Sequence, residues 1–158
     1  MHPLPSLYIS HGSPMTALQP GLTGARLTEL AAALPRPRAI VIASAHWLSR
    51  SPQVGGAAQP ATIHDFGGFP TALHQLRYPA PGAPALAERV ADLLDQAGLP
   101  ARIDPQRGLD HGAWVPLRLL YPDADIPVCR CRSSPRWGRL TSTRWARRWR
   151  RCAARACC

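Results

Sequence analysis

The run Ala39-Ile40-Val41-Ile42-Ala43-Ser44-Ala45 constrains this chain more than any other segment. It carries no charge, its centre is β-branched, and Pro35-Arg36-Pro37 bounds it upstream, which suits a strand covered on both faces. Before it, Leu22, Leu27, Leu30 and Leu34 recur at helical spacing over Leu22–Leu34, and the proline pair stops that helix. Further upstream, Leu4–Ser10 is a short apolar run between Pro and Gly, predicted to be a buried strand. Strand, helix and strand at this spacing predict a βαβ unit with a parallel pair. The expected fold class is α/β, a mostly parallel central sheet with helices on both faces.

The remaining segments fit that plan. Gln53–Pro84 is rich in Gly and Pro and predicts a long ordered loop, with a short helix near Thr71–Gln75. Its aromatic residues Phe66, Phe69 and Tyr78 argue against disorder. Ala85–Ala97 is an amphipathic helix with Leu86, Val90, Leu93 and Leu94 on one stripe, ended by Gly98. A strand is expected at Ala101–Asp104, a helix at Gly112–Leu120 with Asp110 as N-cap, and another strand beginning at Ile126–Val128.

Composition changes abruptly after Val128. Residues 1–128 balance nine Arg against nine acidic residues, whereas residues 129–158 hold ten Arg, no acidic residue and all five Cys. The whole net charge of +10 therefore comes from the last stretch. An Arg-rich arm that contacts nucleic acid or an anionic surface is one reading of it. Its Cys spacing does not match zinc modules. The chain has no Lys, which points to GC-rich coding, and Arg-Trp occurs three times. Read one base earlier with GC-rich codons, Arg-Trp becomes Ala-Leu, and the stretch becomes a strand-like alternation followed by an Ala/Leu helix. We therefore divide the chain into 1–128, one catalytic-domain part, and 129–158, a tail expected to be out of frame and disordered. No apolar run suits a membrane span and the first residues do not resemble a secretion signal, so a cytoplasmic protein is expected, with neither membrane nor nucleic acid as partner.

Chemistry concentrates in the first stretch. His11 follows the first predicted strand in Ser10-His11-Gly12-Ser13-Pro14, and His46 ends the second. Neighbouring strand tips would bring both imidazoles to the carboxyl edge of the sheet, where open α/β folds place ligands. Two neutral imidazoles there make a start for an Fe(II) or Zn(II) site. His111 stands at a predicted helix start, where a neutral ring can act as a base toward a phenolic hydroxyl, although a capping role fits equally. His64, Asp65 and Phe66 lie among aromatic and glycine residues, in a loop suited to covering a flat ring or simply packing on itself. His74 and His2 are read as surface residues. Neither a phosphate-binding glycine loop nor a serine nucleophile elbow is present.

Six ordered segments carry a resemblance: Ser10–Met15, Leu34–Trp47, Thr62–Pro70, Tyr78–Ala87, Leu109–Leu117 and Tyr121–Val128. Together they resemble the DOPA-type branch of the class III extradiol ring-cleaving dioxygenases. The resemblance implies metal ligation by His11 and His46, and a catalytic acid/base or substrate-binding role for His111. It implies a catechol-type substrate, dioxygen, and one non-haem Fe(II) or Zn(II) per site. It also implies two further histidines beyond the matched stretch that complete the site. This chain lacks them, so it is expected to be truncated relative to the family, unstable and largely inactive. A hydrolase using zinc-bound water on the same scaffold is a third reading, which metal and oxygen dependence would separate.

Overall fold

The computed structural model describes residues 4–49 and 51–133. Four strands form one mixed sheet: β1 (Ile40–Leu48), β2 (Gln53–Gly55), β3 (Arg102–Asp104) and β4 (Val128–Ser133), in the order β1-β4-β2-β3. The pairs β1–β4 and β2–β3 are parallel, and β2–β4 is antiparallel. The helices are α1 (Gly21–Ala33), α2 (Thr71–Gln75), α3 (Pro84–Asp95) and α4 (His111–Leu120), preceded by a single 3-10 turn at Pro14–Ala17.

The alternation of strand side chains divides the core in two. Ile40, Ile42 and Val128 pack on one face with Leu109, just before α4, and with Trp114, Val115 and Leu117 of α4. Val41, Cys129, Cys131 and Val54 face the other way, against Ala87, Val90 and Leu94 of α3. Helices thus cover both faces, as expected for α/β.

Several local expectations fail, each for a physical reason. Leu4–Ser10 is not a strand, and Leu7 and Tyr8 are exposed. Strand-like composition alone does not order a segment without a hydrogen-bonded neighbour, and none pairs with it among the described residues. The predicted βαβ unit is therefore replaced by the parallel pair β1–β4. β1 is covered on both faces only at its start, through Ile40, Val41 and Ile42, whereas Ala43 and Ala45 are exposed. In α1 the buried positions are Gly24 and Leu27, while Leu22 points outward. Gln53–Pro84 contains β2 as well as the expected α2.

β4 runs across Val128, and Cys129–Ser133 continues it in the residues that the chain carries, where the tail was expected to be disordered. Cys129 and Cys131 take apolar positions, whereas Arg130, on the opposite face, is buried with only 1% exposure. The remainder of the proposed tail lies outside the described residues. Among the described residues no helix is long and apolar enough to cross a membrane.

Candidate metal centre

The loop between β2 and α3 is placed by the segment that precedes α4. Thr62 and Leu109 form a parallel bridge, with Leu109 N donating to Ala61 O at 2.8 Å and Ile63 N to Leu109 O at 2.7 Å. Gly108 makes this approach possible, since a Cβ there would lie 2.2 Å from the Ala61 carbonyl oxygen. Trp114 Nε1 donates to Ile63 O at 3.0 Å, and Tyr78 N donates to Thr62 Oγ1 at 2.9 Å. A loop with little periodicity is thereby fixed against the first turn of α4, and Asp65 arrives beside His111.

Three histidines converge at this place. His11 Nε2 and His46 Nε2 are 2.7 Å apart, and one ring nitrogen from each of His11, His46 and His111 lies within 4.8 Å of the others. The ring centroids of His46 and His111 are 4.0 Å apart. The predicted convergence of His11 and His46 is present, but by another route. His11 follows an irregular segment, and His46 sits near the end of β1 where the pairing register with β4 shifts. They are not tips of neighbouring strands.

The floor of the cluster is Gly112. A Cβ on it would come within 2.4 Å of Ser44 Oγ, 2.8 Å of His46 Cδ2 and 2.9 Å of His11 Cδ2. Asp65 closes one side, accepting from His111 N at 3.0 Å and from His111 Nδ1 at 2.8 Å through Oδ1, with Oδ2 at 3.7 Å from His46 Nδ1. Phe66 presents an edge-on contact to His111, the ring centroids being 5.6 Å apart.

Burial lowers the pKa of His11 from its ordinary value, and the neighbouring His111 and His46 act in the same direction. His46 is lowered too, first by burial, then by His111, with Arg130 contributing. Burial would raise Asp65, but the backbone and ring hydrogen bonds from His111 outweigh it and hold the carboxylate below its ordinary range. Two depressed imidazoles whose Nε2 atoms face one another present lone pairs that a proton or a cation must separate. With the third ring nitrogen close by, this donor set fits a borderline metal such as Zn(II) or Fe(II).

His64 stands apart from the cluster. Its Nε2 contacts Leu76 O at 3.0 Å, and its ring packs near Phe66, His74 and Trp114. His74, expected at the surface, is half-buried against Phe66. Asp110 holds the N-cap position but makes no capping bond through its side chain. It is fully buried instead, accepting from Ser44 Oγ at 2.6 Å and paired with Arg130 and Arg107. The guanidinium groups of Arg107, Arg130 and Arg132 surround the Trp47 indole at 5.3, 4.9 and 5.6 Å from its ring centre. Sequence reasoning missed both Asp110's burial and Gly112's role. The adjacency Asp110-His111-Gly112 was the available signal.

Residues 4–134 match the family described as the catalytic LigB subunit of aromatic ring-opening dioxygenase. The chain belongs to this LigB family. Within the family it falls in the DOPA-type branch of the class III extradiol dioxygenases. It is 50% identical over 126 residues to 4,5-DOPA dioxygenase extradiol of Escherichia coli (strain K12), covering 79% of this chain and 46% of that protein. The protein of the same name from Beta vulgaris is 46% identical over 129 residues, covering 79% of this chain and 48% of that one. Among solved structures, the crystal structure of an uncharacterized protein, JW3007, from Escherichia coli K12 superposes with a TM-score of 0.55 at 40% identity, covering 70% of this chain and 40% of that one. This LigB-family chain spans about half the length of the curated relatives it matches.

Proposed function

We propose that this chain carries the metal-binding half of an extradiol dioxygenase site and serves the cleavage of a catechol-type ring by dioxygen. The observation that carries the reading is the 2.7 Å approach of His11 Nε2 and His46 Nε2 beside His111. His11 and His46 are assigned as the metal ligands, and His111 as the acid/base residue. The names of the relatives, 4,5-DOPA dioxygenase extradiol, support a catechol such as DOPA as the substrate class.

A non-haem Fe(II), or Zn(II), held there would supply Lewis acidity to the diol, and iron would also supply redox chemistry with dioxygen. The protein's own contribution is positional and acid/base. His111, buried with 5% exposure and tied through Nδ1 to Asp65, has Nε2 left to accept a phenolic proton. Phe66 stands edge-on to His111 and offers an apolar wall for a flat ring. His64 is assigned to the substrate side behind Phe66, where its contact with Leu76 O orients the ring.

Oxygen uptake by the iron-loaded chain on adding DOPA or catechol tests the proposal. Slow uptake with formation of a ring-opened product is expected, and its loss in His11→Ala and His46→Ala. A folded, iron-loaded chain that consumes no oxygen with any catechol would overturn the assignment.

A further inference from the structure

Resting on the reading that the histidine cluster holds a metal, we propose that Asp65 is its positioning residue. Its carboxylate fixes His111 with the proton on Nδ1 and faces Nδ1 of His46, so that both rings offer Nε2 as the working atom.

The argument is one of donors and acceptors. An ionised carboxylate can only accept hydrogen bonds. Asp65 Oδ1 lies 2.8 Å from His111 Nδ1, so a neutral His111 must carry its proton on that nitrogen and keep a lone pair on Nε2. The same oxygen takes the backbone N–H of His111 at 3.0 Å, which fixes the carboxylate on the first turn of α4. A cap alone would require only the second contact. The side chain of Asp65 is 26% exposed, and its charge-assisted bonds are therefore partly shielded from water.

His11 repeats the arrangement with a different acceptor. Its Nδ1 faces the carbonyl oxygen of Gly12 at 3.0 Å, and a carbonyl likewise only accepts. The proton of neutral His11 then sits on Nδ1 and its Nε2 is an acceptor. The 2.7 Å contact between the two Nε2 atoms therefore requires His46 to carry its proton on Nε2 when no cation is bound. His46 Nδ1 is then a lone pair opposite the Asp65 carboxylate, which accounts for a separation of 3.7 Å, too long for a hydrogen bond. A cation replacing that proton leaves His46 with its proton on Nδ1, facing Asp65 Oδ2. Asp65 is thus arranged to receive the second imidazole when metal binds. Outer acceptors of this kind fix the tautomer of metal-binding histidines and raise their basicity.

The test uses the full chain with nitrogen-15-labelled histidine, read by two-bond proton–nitrogen correlation spectra without metal and with Zn(II). In the metal-free parent chain His111 is expected as the Nδ1–H form and His46 as Nε2–H, with His46 converting to Nδ1–H on Zn(II) binding. In Asp65→Ala, His111 loses its Nδ1–H preference and Zn(II) affinity falls about 10–100-fold. Asp65→Asn keeps Oδ1 as acceptor for His111 N and Nδ1 but turns an NH2 donor toward His46 Nδ1, so His111 stays Nδ1–H while His46 does not convert to Nδ1–H and Zn(II) affinity falls; this variant serves if Asp65→Ala does not fold. A His111 that stays Nδ1–H in folded Asp65→Ala, a His46 that still converts to Nδ1–H in Asp65→Asn, or an unchanged Zn(II) affinity in either variant overturns the proposal. Absence of any Zn(II) binding by the parent chain would instead sink the metal reading, while the metal-free spectra would still judge Asp65 against His111.

Discussion

A Cβ on Gly112 would lie 2.8 Å from His46 Cδ2, so the histidine cluster closes only because position 112 has no side chain. The same methyl group would meet Ser44 Oγ and His11 Cδ2 at 2.4 and 2.9 Å, both side chains that are held by other partners. Gly112→Ala is therefore expected to push His11 and His46 apart and to lower Zn(II) affinity by at least about tenfold, with a stability loss of about 1–3 kcal/mol for overpacking. Gly67→Ala is the control, because nothing lies within 4 Å of a Cβ there. Competition titration with a chromogenic chelator and urea unfolding check both variants. Equal affinities for the two would refute the packing argument.

Removing the carboxylate at Asp110 should be among the most damaging single changes. It is fully buried and paired with Arg130, itself 1% exposed, whose Nε finds no hydrogen-bond acceptor among the described residues. Burial, and then the neighbouring Arg107, push the Arg130 pKa down to about 9. Asp110→Asn leaves it without its partner and is expected to cost about 3–5 kcal/mol in urea unfolding. Adding Arg130→Gln should recover most of that loss. Additive penalties in the double variant would show that the two groups are not coupled.

Acid should weaken the fold in a definite window. His11 and His46 both lie below the ordinary imidazole value of 6.5, so the unfolded chain takes up their protons first. Their contribution is complete above that value and is lost as pH falls through the lower, folded values. Asp65 is depressed from 3.8, which adds a further loss below that pH. Urea midpoints measured from mildly alkaline pH down to about 5 should decline. The double variant His11→Asn/His46→Asn should flatten the curve. A midpoint that stayed level in the parent chain would contradict the shifts.

Zn(II) should raise the melting temperature of the metal-free chain, because only the folded state gathers His11, His46 and His111. At a free concentration of a hundred times Kd the stabilisation is about 2.7 kcal/mol. His46→Ala should abolish the shift, whereas His74→Ala, whose ring packs on Phe66 outside the cluster, should retain it. Equal shifts in both would place the ion elsewhere.

Local chemistry along the chain was enough to locate most elements. The β-branched run ending in His46, the amphipathic stripe of α3 and the proline stop after α1 all depend on neighbours a few residues apart. His11, His46 and His111 stood out because each sits next to a glycine, a strand end or a helix start. The alternation of Cys129, Arg130, Cys131 and Arg132 was readable as composition, but its pairing with β1 and β2 was not. What only the tertiary structure decided was long-range. Among the described residues Leu4–Ser10 lacks a strand partner, Asp110 turns from cap to buried counter-ion, and Asp65 crosses from the loop to His111 through the Thr62–Leu109 bridge. Hydrogen-bond and charge partners separated by tens of residues leave no periodic trace in a sequence, because the satisfaction of a buried polar group depends on which segments meet.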